Sequence, residues 1–194
     1  MRLKILFVTI VFLVCFSSFY SFGLEWKCME GDCQNGYGTS VNSAGSQYTG
    51  EFKDGILSGQ GTLVTSKGKF AGKFNDGKLD GQGAFVYPEG KYTGEFKDGL
   101  PNGQGTLATS KGRYVGGFKN GKPNGQGTIT YTDGKYAGEF KYGKPNGQGI
   151  RIYPNGEKYI GEWRDGKRNG DGSYTDSNGE VKEGDWIDDK FVKK

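Results

Sequence analysis

The chain has 194 residues, 37 of them glycine, with 14% aromatic residues, no histidine and a net charge of +4. Glycine at this density works against helix, because its backbone loses the most freedom on ordering. The aromatic content excludes a disordered Gly/Ser linker, and the lack of histidine removes the commonest general base.

In chain order, Met1 to Lys4 is a short basic start and Ile5 to Phe16 is an unbroken, mostly apolar run that Ser17, Ser18 and Ser21 then dilute. Ser21-Phe22-Gly23 places small residues where a signal peptidase reads, with Leu24 beginning the mature chain. The pattern predicts a secretory signal peptide over residues 1–23 and export to a periplasmic, envelope or extracellular location. Two alternatives stay open: an uncleaved anchor, since no charge falls between Lys4 and Glu25, and lipidation at Cys15, since Leu13-Val14-Cys15 faintly resembles a lipobox. In an exported chain the pair Cys28 and Cys33 favours a disulfide. Metal binding is the weaker alternative, because two thiols without histidine make a poor zinc site.

From Tyr48 onward the chain repeats itself. Tyr48-Thr49-Gly50-Glu51-Phe52-Lys53-Asp54-Gly55 returns unchanged in type from Tyr92, and the frame recurs at Phe70, Tyr114, Tyr136 and Tyr159. The spacing is 22 residues, stretched by one between Tyr136 and Tyr159, and a partial copy at Gly184-Asp185-Trp186 ends the array. Each unit reads as a hairpin. Residues 48, 50 and 52 share one face of a strand. Lys53-Asp54-Gly55 makes a turn, Gly59-Gln60-Gly61 leads into a second strand from Thr62 to Thr65, and Ser66-Lys67-Gly68 turns into the next unit. Because glycine separates the two aromatics of each unit, flanking rings are expected to lie flat over the gap. Tyr48, Phe52, Phe70, Phe74, Tyr92, Phe96, Tyr114, Phe118, Tyr136, Phe140, Tyr159, Trp163 and Trp186 then form an aromatic ladder. It is either a self-packed spine or a binding groove. One hairpin cannot bury its rings alone, so stability depends on neighbours.

The pattern Tyr-x-Gly-Glu-Phe/Trp-x-Asp-Gly-x-x-x-Gly-x-Gly resembles the MORN repeat, the membrane occupation and recognition nexus motif. The departures are Phe70 for Tyr, Lys73 and Gly117 for Glu, and Tyr142 for Asp. The resemblance implies an all-β chain: an elongated, single-layer, twisted antiparallel sheet of tandem β-hairpins. The expected division is a signal peptide (1–23), a degenerate N-terminal capping hairpin with the cysteine pair (24–47), six tandem repeats (48–181) and a partial C-terminal capping repeat (182–194). Aligning the degenerate copy on its neighbours puts Cys28 near the column of Phe52 and Cys33 near that of Leu57, Leu79, Pro101 and Pro123.

Searching the chain for chemistry yields little. Gly121-Lys122-Pro123-Asn124-Gly125-Gln126-Gly127 lacks the Gly-Lys-Ser/Thr ending of a phosphate loop, and turn chemistry explains it. Each Asp-Gly turn offers one carboxylate where calcium takes six or more oxygens. The sequence therefore predicts no catalytic residue, no metal and no cofactor. The expected function is an exported repeat scaffold or protein-binding module, with a protein partner or self-association. The alternative is a peripheral phospholipid-binding module, for which Lys73, Lys97, Lys119, Lys141 and Arg164 would line up. Alternating charges and the absence of a dense basic block before Lys193-Lys194 argue against nucleic acid. Mass spectrometry of the native protein should find Leu24 at its N-terminus; an intact Met1 or a lipidated Cys15 contradicts the assignment.

Overall fold

A computed structural model describes residues 25–192, and the predicted signal peptide lies outside them. The described residues are built of β-strands and turns, with no helix, and divide into two compact units, 25–109 and 110–192. The first holds β1 (Trp26–Gly31), β2 (Tyr37–Asn42), β3 (Gln47–Lys53), β4 (Ile56–Thr65), β5 (Gly68–Asn75), β6 (Lys78–Tyr87), β7 (Gly90–Lys97) and β8 (Leu100–Thr109). The second holds β9 (Gly112–Lys119), β10 (Lys122–Tyr131), β11 (Gly134–Lys141), β12 (Lys144–Ile152), β13 (Lys158–Arg164), β14 (Lys167–Thr175), β15 (Val181–Ile187) and β16 (Lys190–Val192). Within each unit every strand pairs antiparallel with its neighbour in the chain. The protein is thus an all-β array of tandem hairpins.

Each repeat turns on an Asp-Gly pair. Asp54 and Gly55 both have positive φ, 51° and 74°, as a two-residue type I′ hairpin requires. Aspartate and asparagine tolerate this left-handed region because a short polar side chain bonds locally. The same position is Asp76, Asp98, Asn120 and Asp165 elsewhere, but in the β11–β12 hairpin it is Tyr142, with φ 52°.

The second strand of each hairpin is longer than its sequence suggests. β4 starts at Ile56, not Thr62, and runs through Gly59-Gln60-Gly61. Phe52 pairs with Leu57 and Gly50 with Gly61, so Gly59 and Gln60 are two extra residues against β3. On the β5 side the same stretch pairs without interruption, from Gly59 with Phe74 to Thr65 with Gly68. The glycines therefore form a bulge inside the strand. Glu51 closes it, its Oε1 accepting the N–H of Gln60 at 2.8 Å; Glu95 and Glu139 do the same for Gln104 and Gln148 at 2.7 and 2.9 Å.

The N-terminal hairpin holds the Cys28–Cys33 disulfide, its Cα atoms 5.8 Å apart. Its register differs from the expected alignment. Cys28 pairs with Ser40, which pairs with Tyr48, so Cys28 stands in the tyrosine row and not in that of Phe52. Gln34 takes the place of Leu57, accepting the Gly55 N–H as Leu57 accepts that of Gly77, and Cys33 falls one residue earlier. The bulge at Cys28–Glu30 shifts the frame. A loop this short adds about 2 kcal/mol by chain entropy.

Replacing Tyr142 by Asn should raise stability by about 1 kcal/mol, since the aromatic side chain gains nothing from the left-handed conformation it occupies. An unchanged urea midpoint for Tyr142→Asn would contradict this.

Candidate binding faces

Strand alternation gives each unit two faces of different character. The first carries the aromatic residues. All thirteen aromatics named above are buried, none more than 6% exposed. Tyr48 meets Phe52 and Phe74 edge-on, with centroids 5.1 Å away and planes at 90° and 79°. The pattern repeats at Tyr114 with Phe118 and Phe140, at Tyr136 with Phe140 and Trp163, and at Tyr159 with Trp163 and Trp186. The rings meet one another edge-on and not stacked. The gap over the glycines is filled by the phenol: a Cβ on Gly50 would stand 2.6 Å from the Tyr48 hydroxyl. That hydroxyl shares its one proton between the carbonyls of Glu51 (3.0 Å) and Ser58 (2.9 Å), and those of Tyr92, Tyr114, Tyr136 and Tyr159 likewise donate to the carbonyl three residues on. Phe70 has no hydroxyl, and its ring stacks on Phe85 at 4.0 Å.

Two arginines enter the packed face, which the sequence reading missed. Leu63, Phe85, Leu107 and Ile129, each opposite an aromatic of a neighbouring strand, hold a position that Arg151 takes in its own repeat. Arg151 lies 5.3 and 5.2 Å from the ring centres of Tyr131 and Tyr153 and 2.9 Å from Asp133. Arg168 follows the row of Leu57, Leu79 and the prolines. It lies 4.1 Å from the Trp186 ring and pairs with Asp189 at 3.3 Å. The signal was the tyrosine two residues beyond the arginine, Tyr153, since an aliphatic stem and a planar guanidinium stack well between rings.

The second face is open. It carries Thr49, Glu51, Thr62, Val64 and their equivalents. Val64, Val86, Val115, Ile150, Ile152 and Ile160 on it are all exposed. The direct partners of Glu95, Glu139 and Glu162 across the strands are Gln82, Gln126 and Gln148. Lys73 stands in this glutamate row, opposite Gln60, and Asn75 takes its expected place among the lysines at the hairpin ends. In the 110–192 unit those ends are basic on both strands: Lys119 pairs with Lys122, Lys141 with Lys144 and Arg164 with Lys167. Like charges directly opposite are destabilising. Among the described residues no group of three or more His, Cys, Asp or Glu is arranged to hold a metal ion.

A model of the MORN repeat matches six consecutive segments: 48–69, 70–91, 92–112, 114–135, 136–158 and 159–181. The chain belongs to the MORN repeat family. No curated protein matches it in sequence. Among solved structures, virginiamycin B lyase from Staphylococcus aureus aligns over 84% of this chain and 89% of its own, at 7% identity and a TM-score of 0.20. A catalytically inactive variant of that lyase with quinupristin aligns over 84% and 74%, at 12% identity and a TM-score of 0.19. Scores this low bear neither on the fold nor on the activity of this MORN protein, and the repeats themselves mark it as a repeat-based binding module.

Burial holds the tyrosines of the packed face in their neutral form: it pushes Tyr48, Tyr92, Tyr114 and Tyr136 well above the ordinary tyrosine value and Tyr159 up to about 12. A raised folded-state pKa means that the stabilisation is complete below the unfolded value near 10 and is lost as pH rises through the folded value. The melting temperature should therefore be flat up to about pH 10 and fall steeply above it, with tyrosinate absorbance rising in the same window. Tyrosinate appearing at pH 10 without loss of structure would show these rings to be solvated.

Proposed function

We propose that this MORN protein is an exported, non-catalytic scaffold that binds proteins through its second face. The observation that carries this reading is the contrast between the two faces. The aromatic face is closed by its own packing. The other displays β-branched aliphatics, glutamines and charges of both signs on a hydrogen-bonded sheet. Such a surface, part apolar and part polar, has the composition of protein–protein contacts more than of a pocket for a small molecule, which is concave and mostly enclosed. The predicted signal peptide and the Cys28–Cys33 bond support an oxidising location outside the cytoplasm.

A second reading, peripheral binding to anionic phospholipid, is favoured by the opposed bases Lys119–Lys122 and Lys141–Lys144. The intervening turns hold Asn120 and Tyr142 in place of aspartate, so no acid lies within them. A basic residue near an anionic surface contributes about 1 kcal/mol.

Photo-crosslinking residues placed at Val64 and Ile160 in cells should each give discrete protein adducts, and the purified protein should not float with anionic vesicles at physiological salt. Absence of protein adducts, together with salt-sensitive flotation that Lys119→Glu and Lys141→Glu abolish, would reverse the order of the two readings.

A further inference from the structure

On the second face of the 110–192 unit an apolar patch lies between rows of opposite charge. Ala137, Ile150 and Ile160 are direct partners across β11, β12 and β13, and Ile152 is two residues further along β12. Ile150, Ile152 and Ile160 are 40%, 46% and 42% exposed. Two residues to one side on the flanking strands stand Glu139 and Glu162, and two residues to the other stand Lys135 and Lys158. Beside Ile160 a groove of about 560 Å³ is walled by Glu162, Asp171, Ser173 and Glu183, with the backbone of Gly161, Gly172 and Gly184 as its floor.

We propose that this patch is a homodimer interface, with two copies packed face to face about a two-fold axis that runs across the strands through the isoleucine row. This rests on the protein-binding reading above and names the partner as a second copy of the chain. The charge pattern selects the axis. Rotation about it reverses strand direction in the partner while leaving the order of strands unchanged. Glu139 and Glu162 of each copy then face Lys135 and Lys158 of the other, and isoleucine meets isoleucine. A two-fold parallel to the strands through β12 instead lays Glu139 on Glu162 and Lys135 on Lys158, which opposes like charges. In the favoured arrangement Lys158 of the other copy points into the acidic groove beside Glu162, which has room for it. The strands of the two sheets also remain aligned, as face-to-face sheets prefer. Eight strands about 4.8 Å apart and about 20 Å long present a face of about 750 Å², near the roughly 800 Å² per partner of a stable interface.

Analytical ultracentrifugation of the purified protein at tens of micromolar should show a dimer whose dissociation constant rises at least ten-fold with Ile160→Asp and also rises with salt. The double variants Glu139→Lys/Glu162→Lys and Lys135→Glu/Lys158→Glu should each be monomeric alone and dimeric when mixed, with the parent's far-UV circular dichroism spectrum; the first should melt lower, because it loses the Glu139 contact to the Gln148 N–H, while the natural Lys73 in the same column shows that the bulge forms without glutamate. Ala137→Cys and Ser173→Cys, both in the axial row, should each cross-link to themselves, whereas an axis parallel to the strands permits at most one of them to do so. A monomeric parent, a mixture that stays monomeric, or self-linking at only one cysteine overturns the proposal. A monomer that still gives protein adducts from Val64 or Ile160 removes the dimer and leaves the scaffold reading standing.

Discussion

Every repeat but the one that begins at Phe70 depends on a tyrosine ring laid over two glycines of adjacent strands. A side chain on either glycine would meet the Tyr48 hydroxyl, so the row that begins Gly38, Gly50, Gly61 and Gly72 must stay bare for the ring to close down. Once seated, the hydroxyl reaches the carbonyl of Glu51, and that carbonyl is available because the Gly59-Gln60 bulge has opened the pairing beside it. The Glu51 carboxylate then takes the N–H that the bulge leaves over. Tyrosine, glycine, glutamate and the Gly-x-Gly stretch thus serve one interlock, in which a buried polar group and a ladder defect satisfy each other. In the unit that begins at Phe70 this interlock is dismantled. That unit lacks the hydroxyl, carries Lys73 in place of the glutamate, and turns its ring to stack on Phe85, an aromatic where its neighbours have leucine.

The period, the hairpins and the aromatic rows were legible in the sequence because each repeat states them again, and a coincidence at one copy is corrected by the next. The bulge was not legible. Two extra residues preserve the alternation of faces, so Leu57 and Leu63 remain on one side whether or not the pairing between them is continuous. Gly59-Gln60-Gly61 accordingly read as a lead-in to a strand when it lies inside one. The misplacement of Cys28 has a related cause: a one-residue irregularity in β1 cannot be detected in a copy that shares few residues with its neighbours. Lys73 was set among the lysines of the hairpin ends by residue type, although its distance from Phe70 places it in the glutamate row.

For the faces as candidate sites, the sequence identified the aromatic row and not its consequence. Period-two alternation says which residues share a face, but not whether that face is closed. Closure comes from edge-on contacts of Tyr48, Tyr114, Tyr136 and Tyr159 with the aromatic two strands away, at 5.0 to 5.3 Å. Such contacts add about 0.5–1.5 kcal/mol each beyond burial, and they use the ring surface that a ligand would need. The second face is therefore the accessible one, although its residues look like ordinary solvated threonines, valines and charges when read along the chain.

Residues that repeat in every copy are accounted for by the interlock, so the information that could distinguish one partner from another has to reside in the departures. These are unevenly distributed. In the 25–109 unit the row beside the hairpin turns holds Leu57, Leu79 and Pro101, and the hairpin ends hold at most one base each. In the 110–192 unit that row runs Pro123, Pro145 and Arg168, the hairpin ends hold three opposed pairs of bases, a tyrosine takes an aspartate's left-handed turn, and Ile150 and Ile160 stand where earlier copies have threonine, alanine or valine. Several of these changes cost stability in isolation: like charges facing each other, an aromatic at positive φ, and β-branched aliphatics left in water. A regular array has no folding reason to carry the opposed bases and the turn tyrosine together in one unit when the other does without them, although Val64 and Val86 leave aliphatics exposed there too. On the proposed reading their cost is offset by contact with a second copy, which is the reason that contact is assigned to the 110–192 unit.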